Sequence, residues 1–460
     1  MISTTKRIGT LLPISALISN SATRGSFQAG LKFVDWLARS KQSVWQLLPL
    51  SETQLQNGSA TIHVPSPYKG YCIGLDPKYL SPSDITPTKR QLASFIKNND
   101  YWLGNYALFC ALRDYFKTDK WSKWPNDIRH HNEKVMIEWK AKLATEISNN
   151  ISMQAKLYYS YKKIINSAKK HKILLIGDMP FYIGLNSPLV WQNQQLFDLD
   201  NMSIPRYVSG VLDSTKAHFG RQVWGHPLYQ WQDKRLIPEL KILFEIRLKY
   251  LASLFNYIRL DHAKGFYTYA AIDISNTKGD CNLNGPGDIF LTNLIHYSQH
   301  IRLKMYAEDS GANLAELRKC LHSHHLPGIK IFRFAYNEKR HIFSEQYIHI
   351  DSYPTNSVAY TTTHDTETLI GYLQNLSISE RSNLCAKLKI NPSKNIYDLA
   401  KEIRNQIINS PAKIVILPLQ DWLLTTDRIN IPGTEKEIGD TNWQYQMDIP
   451  IEDLPIKFQN

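Results

Sequence analysis

Residues 257–262 carry the sequence YIRLDH, an apolar and β-branched run that ends in charged residues shortly before Gly265. This run predicts a β-strand, in which side chains two positions apart share one face. Arg259 and Asp261 therefore lie side by side at the carboxyl end of the strand. A guanidinium this close to a carboxylate keeps it ionised, as a nucleophile requires. A structural ion pair that closes the strand would use the same two residues, so the rest of the chain has to decide between these interpretations.

Seven further runs predict strands, and most of them are separated by helical patterns. The strongest of these patterns covers residues 238–256, where apolar side chains recur along one stripe. The eight predicted strands lie near Leu11, Leu47, Leu175, Leu260, Tyr306, Phe332, Tyr360 and Ile416. Eight alternating units predict a (β/α)8 barrel of the TIM type, with one catalytic domain over residues 1–460. A doubly wound sheet would also alternate, but no glycine-rich phosphate loop follows the first strand.

Two long segments interrupt the predicted alternation. Residues 52–172 begin as a loop rich in Ser, Thr, Pro and Gly and continue as three amphipathic helices without a convincing strand. They predict a mainly helical insertion. Residues 185–235 are irregular and rich in aromatic side chains, which is typical of a substrate loop carried by a rigid scaffold.

The composition is typical of a soluble globular protein with a large core, at 43% hydrophobic and 21% charged residues in a chain of 460. There are 54 basic and 41 acidic residues, a formal net charge of +13, so a nucleic-acid partner has to be considered. The densest basic stretch, residues 162–172, lies on a predicted helix that also carries apolar positions. No aromatic-interleaved basic motif accompanies it. The pattern favours a solvated helix face, and no nucleic-acid partner is predicted.

The five cysteines are scattered and odd in number, with no CxxC pair. No signal segment and no membrane-length apolar run is visible, so we expect a reduced, cytoplasmic setting and no membrane partner. Cys320, His322, His324 and His325 form the one cluster with metal-binding residue types. Their spacing matches no standard zinc pattern and favours a polar helix end, so neither a metal nor another cofactor is predicted. The oligomeric state stays open.

Acidic residues end three of the predicted strands, at Asp261, Glu308 and Asp365. In a barrel, side chains at the carboxyl ends of different strands converge on one site. Three acids on one rim predict glycosyl transfer, which needs one ionised and one protonated carboxyl group across the scissile bond. Arg259 would hold Asp261 ionised. Glu308, without an obvious cationic neighbour in the sequence, would keep its proton through burial and nearby negative charge.

Eleven ordered motifs span nearly the whole chain. They are GTLL at 9–12, WQLLPL at 45–50, SPY at 66–68, GDMP at 177–180, LFDLD at 196–200, QVWG at 222–225, IRLDH at 258–262, AED at 307–309, PGIK at 327–330, THD at 363–365 and NIPGT at 430–434. In this order they resemble the 4-α-glucanotransferases of the amylomaltase or disproportionating-enzyme type, glycoside hydrolase family 77. The resemblance implies transfer of an α-1,4-glucan segment to the 4-hydroxyl of an acceptor glucan or glucose. Its substrate would be a maltooligosaccharide or a glycogen-derived glucan.

The same resemblance assigns roles to individual residues. Asp261 is implied as the nucleophile, Glu308 as the general acid/base and Asp365 as the stabiliser of the transition state. The positions that match sugar-binding and orienting residues are Arg259, His262 and His364 in the cleavage subsite, and Asp178, Tyr68, Trp224, Phe334 and Asn430 along the glucan groove. The implied mechanism is retaining, for which the carboxyl groups of Asp261 and Glu308 should lie about 5 to 5.5 Å apart.

Other interpretations of these residues remain open. Tyr68, Trp224 and Phe334 could pack in the core, as aromatic side chains usually do. Departures from the family pattern at Ala263, Lys264, Ser310 and Thr366, and in residues 210–221, lead us to expect an altered sugar fit. Two alternative functions also stay open. One is an α-glucan hydrolase of the α-amylase clan, and the other is a glucan-binding protein that has lost catalysis.

Overall fold

The computed structural model describes residues 6–56, 59, 61–212, 220–275, 279–337, 340–434 and 441–457. Eight of its strands form a parallel sheet in which each strand pairs with the next along the chain, except the fifth with the sixth, and the last strand pairs with the first. The Ala307 N–H donates to the Pro327 carbonyl at 3.0 Å and links the fifth strand to the start of the sixth. The eight barrel strands, numbered here in chain order, are Arg7–Leu11, Val44–Gln46, Leu174–Met179, Tyr257–Leu260, Lys304–Ala307, Gly328–Ile331, Ser357–Tyr360 and Ile414–Pro418. The predicted (β/α)8 barrel is confirmed.

Apolar side chains from all parts of the sheet fill the barrel interior. Leu11, Val44, Ile176, Tyr257, Tyr306, Ile329, Val358 and Ile414 belong to one buried cluster that is distinct from the larger outer core. Such alternate inward-facing residues fill a barrel as layers of side chains. Polar atoms inside it are paired: the hydroxyls of Tyr306 and Tyr360 lie 2.7 Å apart, and Tyr360 donates to Gln46 Oε1 at 2.8 Å.

Helices surround the barrel and fill the long segment between its second and third strands. The α-helices are Phe27–Arg39, Lys89–Asn98, Leu103–Phe116, Asn126–Arg129, Glu133–Lys142, Ala144–Lys170, Pro188–Gln192, Ile237–Ala252, Gly287–His300, Ala315–Ser323, Glu345–Ile348, Leu369–Asn375, Ile378–Leu388, Ile396–Asn409 and Leu419–Leu423. The first begins where Ser26 Oγ accepts a hydrogen bond from the Ala29 N–H at 3.2 Å, as N-cap residues do. None of the helices in the described ranges combines the length and apolar character needed to cross a membrane.

Short 3-10 helices occupy several connections and strand ends. They are Ile14–Ala16, Pro77–Tyr79, Trp121–Lys123, Gln194–Leu196, Lys234–Leu236, Ala263–Phe266, Phe332–Ala335, Ile350–Ser352 and Ile451–Asp453. The sequence predicts the sixth strand over residues 328–335, but the strand ends at Ile331 and a 3-10 turn follows. An apolar run cannot distinguish a strand from such a turn. The turn brings Phe334 into the cleft described below.

A second sheet lies outside the barrel. Its four antiparallel strands occur in the spatial order Gln222–Pro227, Val208–Val211, Thr268–Ile272 and Cys281–Asn284. A two-stranded pair, Tyr336–Asn337 with Ile342–Phe343, lies elsewhere. The prediction that residues 185–235 are irregular is therefore wrong for the helix Pro188–Gln192 and for the strands Gln222–Pro227 and Val208–Val211. One of these, Val208–Val211, pairs with Thr268–Ile272, and such a distant partner leaves no local pattern in the sequence.

Candidate active site

A cleft of about 750 Å³ opens at the carboxyl ends of the barrel strands. Asp261, Glu308 and Asp365 follow the fourth, fifth and seventh strands and line this cleft together. Ten of the eleven residues singled out from the sequence line it: Tyr68, Trp224, Arg259, Asp261, His262, Glu308, Phe334, His364, Asp365 and Asn430. The ends of the fourth, fifth and seventh strands thus bring the three carboxylates together at one site.

Arg259 connects the acidic residues of the site. Its Nη1 lies 2.6 Å from Asp178 Oδ2, and its Nη2 lies 2.9 Å from Asp261 Oδ1 and 2.7 Å from Glu308 Oε2. Asp178 and Arg259 are opposite each other in the pairing of the third and fourth strands, which explains their contact. Burial lowers the pKa of the Arg259 guanidinium, but the three carboxyl groups outweigh it and hold that pKa well above its usual value. Arg259 therefore remains charged.

The shared guanidinium nitrogen limits the distance between the two carboxyl groups that it contacts. Asp261 Oδ1 and Glu308 Oε2 cannot be farther apart than the sum of their distances to Nη2, which is 5.6 Å. Carboxyl groups of inverting glycosidases lie about 6.5 to 9.5 Å apart, and those of retaining enzymes about 5 to 5.5 Å apart. The geometry suits direct attack by one carboxylate rather than activation of a water between the two.

Glu308 collects more hydrogen bonds than its sequence context predicts. Its Oε2 accepts from Arg259 Nη2 and, at 3.0 Å, from the His262 backbone N–H, and its Oε1 accepts from Ser310 Oγ at 2.8 Å. Burial raises the pKa of Glu308, but Arg259, His262 and Ser310 outweigh burial and hold it below its usual value. We expected Glu308 to keep its proton because no cationic neighbour is obvious in the sequence. In the free site that expectation is wrong, because Arg259 reaches Glu308 from the adjacent strand.

Asp261 shows the opposite shift. Burial raises the pKa of Asp261, and although Arg259 lowers it, the negative charges of Asp178, Glu308 and Asp365 bring it well above its usual range. The Arg259 guanidinium contacts three carboxyl groups, and Asp261 accepts the fewest hydrogen bonds from other donors. In the free site, a proton shared by Asp261 and Glu308 therefore favours Asp261. This is the reverse of the order expected from the sequence.

Asp365 is held ionised by its neighbours. His364 Nε2 lies 3.1 Å from Asp365 Oδ2, and Asn430 Nδ2 donates to Asp365 Oδ1 at 2.7 Å. Burial raises the pKa of Asp365, but the His364 and Asn430 contacts and the charge of Arg259 lower it to about 2. His364 Nε2 also lies 2.9 Å from Tyr68 Oη, and the two rings stack with centroids 5.5 Å apart.

Tyr68 links this group to Asp178. Its hydroxyl donates to Asp178 Oδ2 at 2.7 Å. Asp178 is only 1% exposed and lies behind Arg259 rather than on the cleft wall, so it differs from the groove position predicted for it. It can act on a ligand only through Arg259 and Tyr68.

Aromatic rings border the carboxylates. The ring of Trp224 stands edge-on to that of His262 with centroids 5.1 Å apart, and its Nε1 donates to Gln222 Oε1 at 2.8 Å. Burial lowers the pKa of His262 to about 4, so its ring is neutral near pH 7. Phe334 lines the cleft beside the two-stranded pair. Rings presented to a cleft in this way suit the flat faces of sugars.

Two further cleft residues, Ser310 and Trp443, were not among the site residues predicted from the sequence. Ser310 was visible only as a departure from the family pattern, and its contact with Glu308 becomes apparent only when the chain after the fifth strand is folded. Trp443 packs against Tyr68 and His364 at ring distances of 5.4 and 5.7 Å. It comes from the far end of the chain, and only its residue type could have drawn attention to it. Lys264 and Thr366, the other departures in this region, also line the cleft.

The described residues contain no group of three or more His, Cys, Asp or Glu side chains that could hold a metal ion. In the sequence cluster at 320–325, His324 Nε2 lies 3.0 Å from Thr292 Oγ1 at the end of helix Ala315–Ser323. The five cysteines are free thiols, and four of them are buried.

A parallel barrel whose rim brings three carboxylates into one cleft defines a class of protein, the barrel enzymes that act on glycosidic bonds through carboxyl groups. Comparison with known families makes this specific. The family model described as 4-alpha-glucanotransferase matches residues 12–91 and 78–451. The chain belongs to this family.

Curated relatives extend over the whole chain. A 4-alpha-glucanotransferase of Aquifex aeolicus is 26% identical over 96% of this chain and 95% of its own length. One of Synechocystis is also 26% identical, over 96% of this chain and 94% of its own length. Among solved structures, an amylomaltase from Streptococcus agalactiae in complex with acarbose superposes with a TM-score of 0.81 at 22% identity, covering 96% of this chain and 95% of that chain. That likeness supports the fold.

Proposed function

We propose that this chain is a 4-α-glucanotransferase that moves α-1,4-glucan segments from a donor to the 4-hydroxyl of an acceptor glucan or glucose. The observation that carries the mechanism is the contact of one Arg259 nitrogen with both Asp261 and Glu308. It holds Asp261 Oδ1 and Glu308 Oε2 closer together than the carboxyl groups of inverting enzymes lie, as a retaining double displacement requires.

The first half of the reaction cleaves a glycosidic bond of the donor glucan. Protonated Glu308 gives its proton to the glycosidic oxygen while ionised Asp261 attacks the anomeric carbon from the opposite face. The bond to the leaving glucan breaks, and a β-glucosyl ester forms on Asp261. In the second half, Glu308 removes the proton from an acceptor 4-hydroxyl. The acceptor oxygen attacks the anomeric carbon and releases Asp261 with net retention.

This sequence of steps requires the shared proton on Glu308, whereas the free site favours it on Asp261. We infer that the proton lies on Glu308 in the reactive complex, because the glycosidic oxygen offers a protonated Glu308 an acceptor and because the positive charge that develops at the anomeric carbon in the transition state favours an ionised Asp261. Asp365, with a pKa of about 2, stays ionised throughout. Its negative charge stabilises the oxocarbenium-like transition state.

The remaining residues would hold the sugar. His262, His364 and Asn430 offer polar atoms on the cleft wall, and Trp224 and Phe334 offer ring faces. Tyr68 contacts Asp178 and His364 together and so links these two residues beside the cleft. Since the relative from Streptococcus agalactiae was solved with acarbose, we propose that acarbose occupies this cleft as well.

Incubation with maltotriose tests the proposal. Transfer yields both longer and shorter glucans with little net gain of reducing ends, whereas an α-glucan hydrolase gives a steady gain of reducing ends without longer products. The variants Asp261→Ala and Glu308→Gln should form neither the longer nor the shorter glucans. Binding of maltotriose without any conversion by the unmodified protein would instead identify a glucan-binding protein that has lost catalysis.

We further propose a cytoplasmic setting in which the substrate is a maltooligosaccharide or a glycogen-derived glucan. The free state of the cysteines supports this setting, because disulfides are rare in reducing compartments. Localisation of a tagged chain by fractionation, with the glucan pool measured in cells that lack it, tests both statements.

A further inference from the structure

The two oxygens of the Glu308 carboxyl group have different surroundings. Oε2 accepts hydrogen bonds from Arg259 Nη2 at 2.7 Å and from the His262 backbone N–H at 3.0 Å. From the described part of the chain, Oε1 accepts a hydrogen bond from Ser310 Oγ at 2.8 Å. A carboxylate oxygen has two lone-pair sites. Both sites of Oε2 face donors, so only Oε1 has a site for a proton.

We propose that Oε1 is the oxygen of Glu308 that carries the transferred proton, and that Ser310 is the positioning residue that holds this oxygen in the cleft. The inference rests on the proposed function, since it names the atom at which the acid and base steps occur. Ser310 is two residues beyond Glu308 and lines the same cleft. Arg259 and His262 fix one end of the carboxyl group, and Ser310 fixes the other.

The Ser310 hydroxyl also affects when Glu308 holds its proton. A hydroxyl that donates to a carboxylate favours the ionised form, and such charge-assisted hydrogen bonds are stronger than neutral ones. When Oε1 carries a proton at its second lone-pair site, the hydroxyl donates to a neutral oxygen and the hydrogen bond is weaker. Ser310 therefore makes Glu308 a stronger acid, which assists protonation of the leaving oxygen and weakens Glu308 as a base.

Other titratable groups near Glu308 could contribute to the same pH dependence. They are Arg259, Asp261, His262, Tyr347 and Tyr360. Arg259 stays charged, the His262 ring is neutral because its pKa is about 4, and burial raises the pKa of Tyr347 to about 12. Burial also raises the pKa of Tyr360. Burial also raises the pKa of Asp178, which contacts Arg259, and of Asp309, which follows Glu308 in the chain. Among the carboxyl groups named here, Glu308 is the one to which Ser310 donates.

The experiment is the pH dependence of kcat at saturating maltotriose, because kcat reports the groups of the substrate complex. In Ser310→Ala, the alkaline limb should move upward by about one pH unit, with KM changed less than twofold. Ser310→Thr keeps a hydroxyl and should restore the limb of the unmodified enzyme. Ser310→Cys, a weaker donor, should lie between the two.

Ser382→Ala is a matched control, since Ser382 is exposed on helix Ile378–Leu388 and the same atom is removed there. Its profile should equal that of the unmodified enzyme. The assignment is overturned if the alkaline limb stays in place in Ser310→Ala, even if kcat falls. It is also overturned if the limb moves by the same amount in Ser310→Thr as in Ser310→Ala. Absence of transfer by the unmodified enzyme would instead refute the proposed function, so the two failures are distinct. If Ser310→Ala does not fold, the Thr and Cys variants decide.

Discussion

Asp261 and Glu308 contact the same nitrogen of Arg259, yet their pKa values shift in opposite directions. The difference arises from the donors that each carboxyl group receives besides Arg259. Glu308 has the His262 N–H and the Ser310 hydroxyl, whereas Asp261 faces mainly other acids. A site arranged in this way should carry a cost in folding stability at the nucleophile.

We predict that Asp261→Asn raises the melting temperature at pH 7 by about 2 °C while it abolishes transfer. A carboxyl group with a raised folded pKa destabilises the fold increasingly as pH rises above its unfolded pKa, and the amide removes that cost. Glu308→Gln should instead lower the melting temperature. A lowered pKa gives stability above the unfolded pKa, which is lost as pH falls through the folded value. Thermal unfolding at pH 7 measures both, and equal shifts of the same sign would contradict the assigned directions.

Asp365 permits a separate prediction. Because its pKa is about 2, its charge does not change across the working range. Asp365→Asn should therefore reduce kcat by a hundredfold or more. It should also move the acid limb of the pH profile to lower pH, because the negative charge of Asp365 raises the pKa of Asp261. The measurement is kcat against pH with maltotriose. An acid limb that stays in place or moves to higher pH would contradict this influence of Asp365 on Asp261.

The sequence predicted the acids of the site better than their surroundings. Asp261, Glu308 and Asp365 were predictable because parallel strands bring their carboxyl ends to one rim. The contact of Arg259 with Glu308 was not predictable. The two residues lie on neighbouring strands, and their spacing along the chain does not show that their side chains meet. The burial of Asp178 was missed for a similar reason. Its position at the end of a strand does not show whether its side chain faces the cleft or lies beneath it.

At the level of elements, the barrel depends on a close approach between its first two strands. Gly9 in strand Arg7–Leu11 pairs with Val44, and a Cβ built on Gly9 would lie 1.9 Å from the Val44 carbonyl oxygen. That oxygen belongs to the backbone of the neighbouring strand, so it cannot move aside without disturbing the sheet. Glycine at this position is a packing requirement.

We predict that Gly9→Ala destabilises the protein by about 3 kcal/mol or more, or prevents folding. Gly104→Ala is the matched control. Its Cβ would meet nothing within 4 Å in helix Leu103–Phe116, and alanine there should stabilise by up to about 1 kcal/mol. Urea unfolding measures both variants. A Gly9→Ala protein as stable as the unmodified one would contradict the close approach.

The barrel strands were predictable as elements because continuous apolar runs between helical patterns mark strands that are buried on both faces. The four-stranded antiparallel sheet was not. Its strands Val208–Val211 and Thr268–Ile272 are short and pair across a long separation, with the fourth barrel strand between them. Each of these strands is regular because it pairs with the other, and a short window of sequence contains only one of the two.

At the scale of the whole molecule, the cleft is assembled from residues along nearly the entire chain. Its lining extends from Leu11 to Trp443 and includes the second sheet at Trp224 and the two-stranded pair at Phe343. No single segment forms a complete wall. A glucan that spans the cleft would therefore contact parts of the fold that lie far apart in the chain.

We predict that maltooligosaccharides stabilise the inactive variant Glu308→Gln, which allows binding to be measured without turnover. A ligand at a hundred times its Kd adds about 2.7 kcal/mol to the free energy of unfolding when it binds only the folded state. The midpoint of urea unfolding should rise with glucan concentration, and maltoheptaose should act at lower concentration than maltotriose, because a longer glucan contacts more of the walls.

Cellooligosaccharides of equal length are the control, since they have the same composition but a β-1,4 linkage and a straighter chain. They should leave the midpoint unchanged. Equal stabilisation by both series would mean that the cleft recognises sugar without regard to linkage, which would remove the α-1,4 specificity. Stabilisation that disappears in a double variant with Trp224→Ala would connect the effect to the cleft wall, because Trp224 reaches the cleft from the second sheet rather than from the barrel.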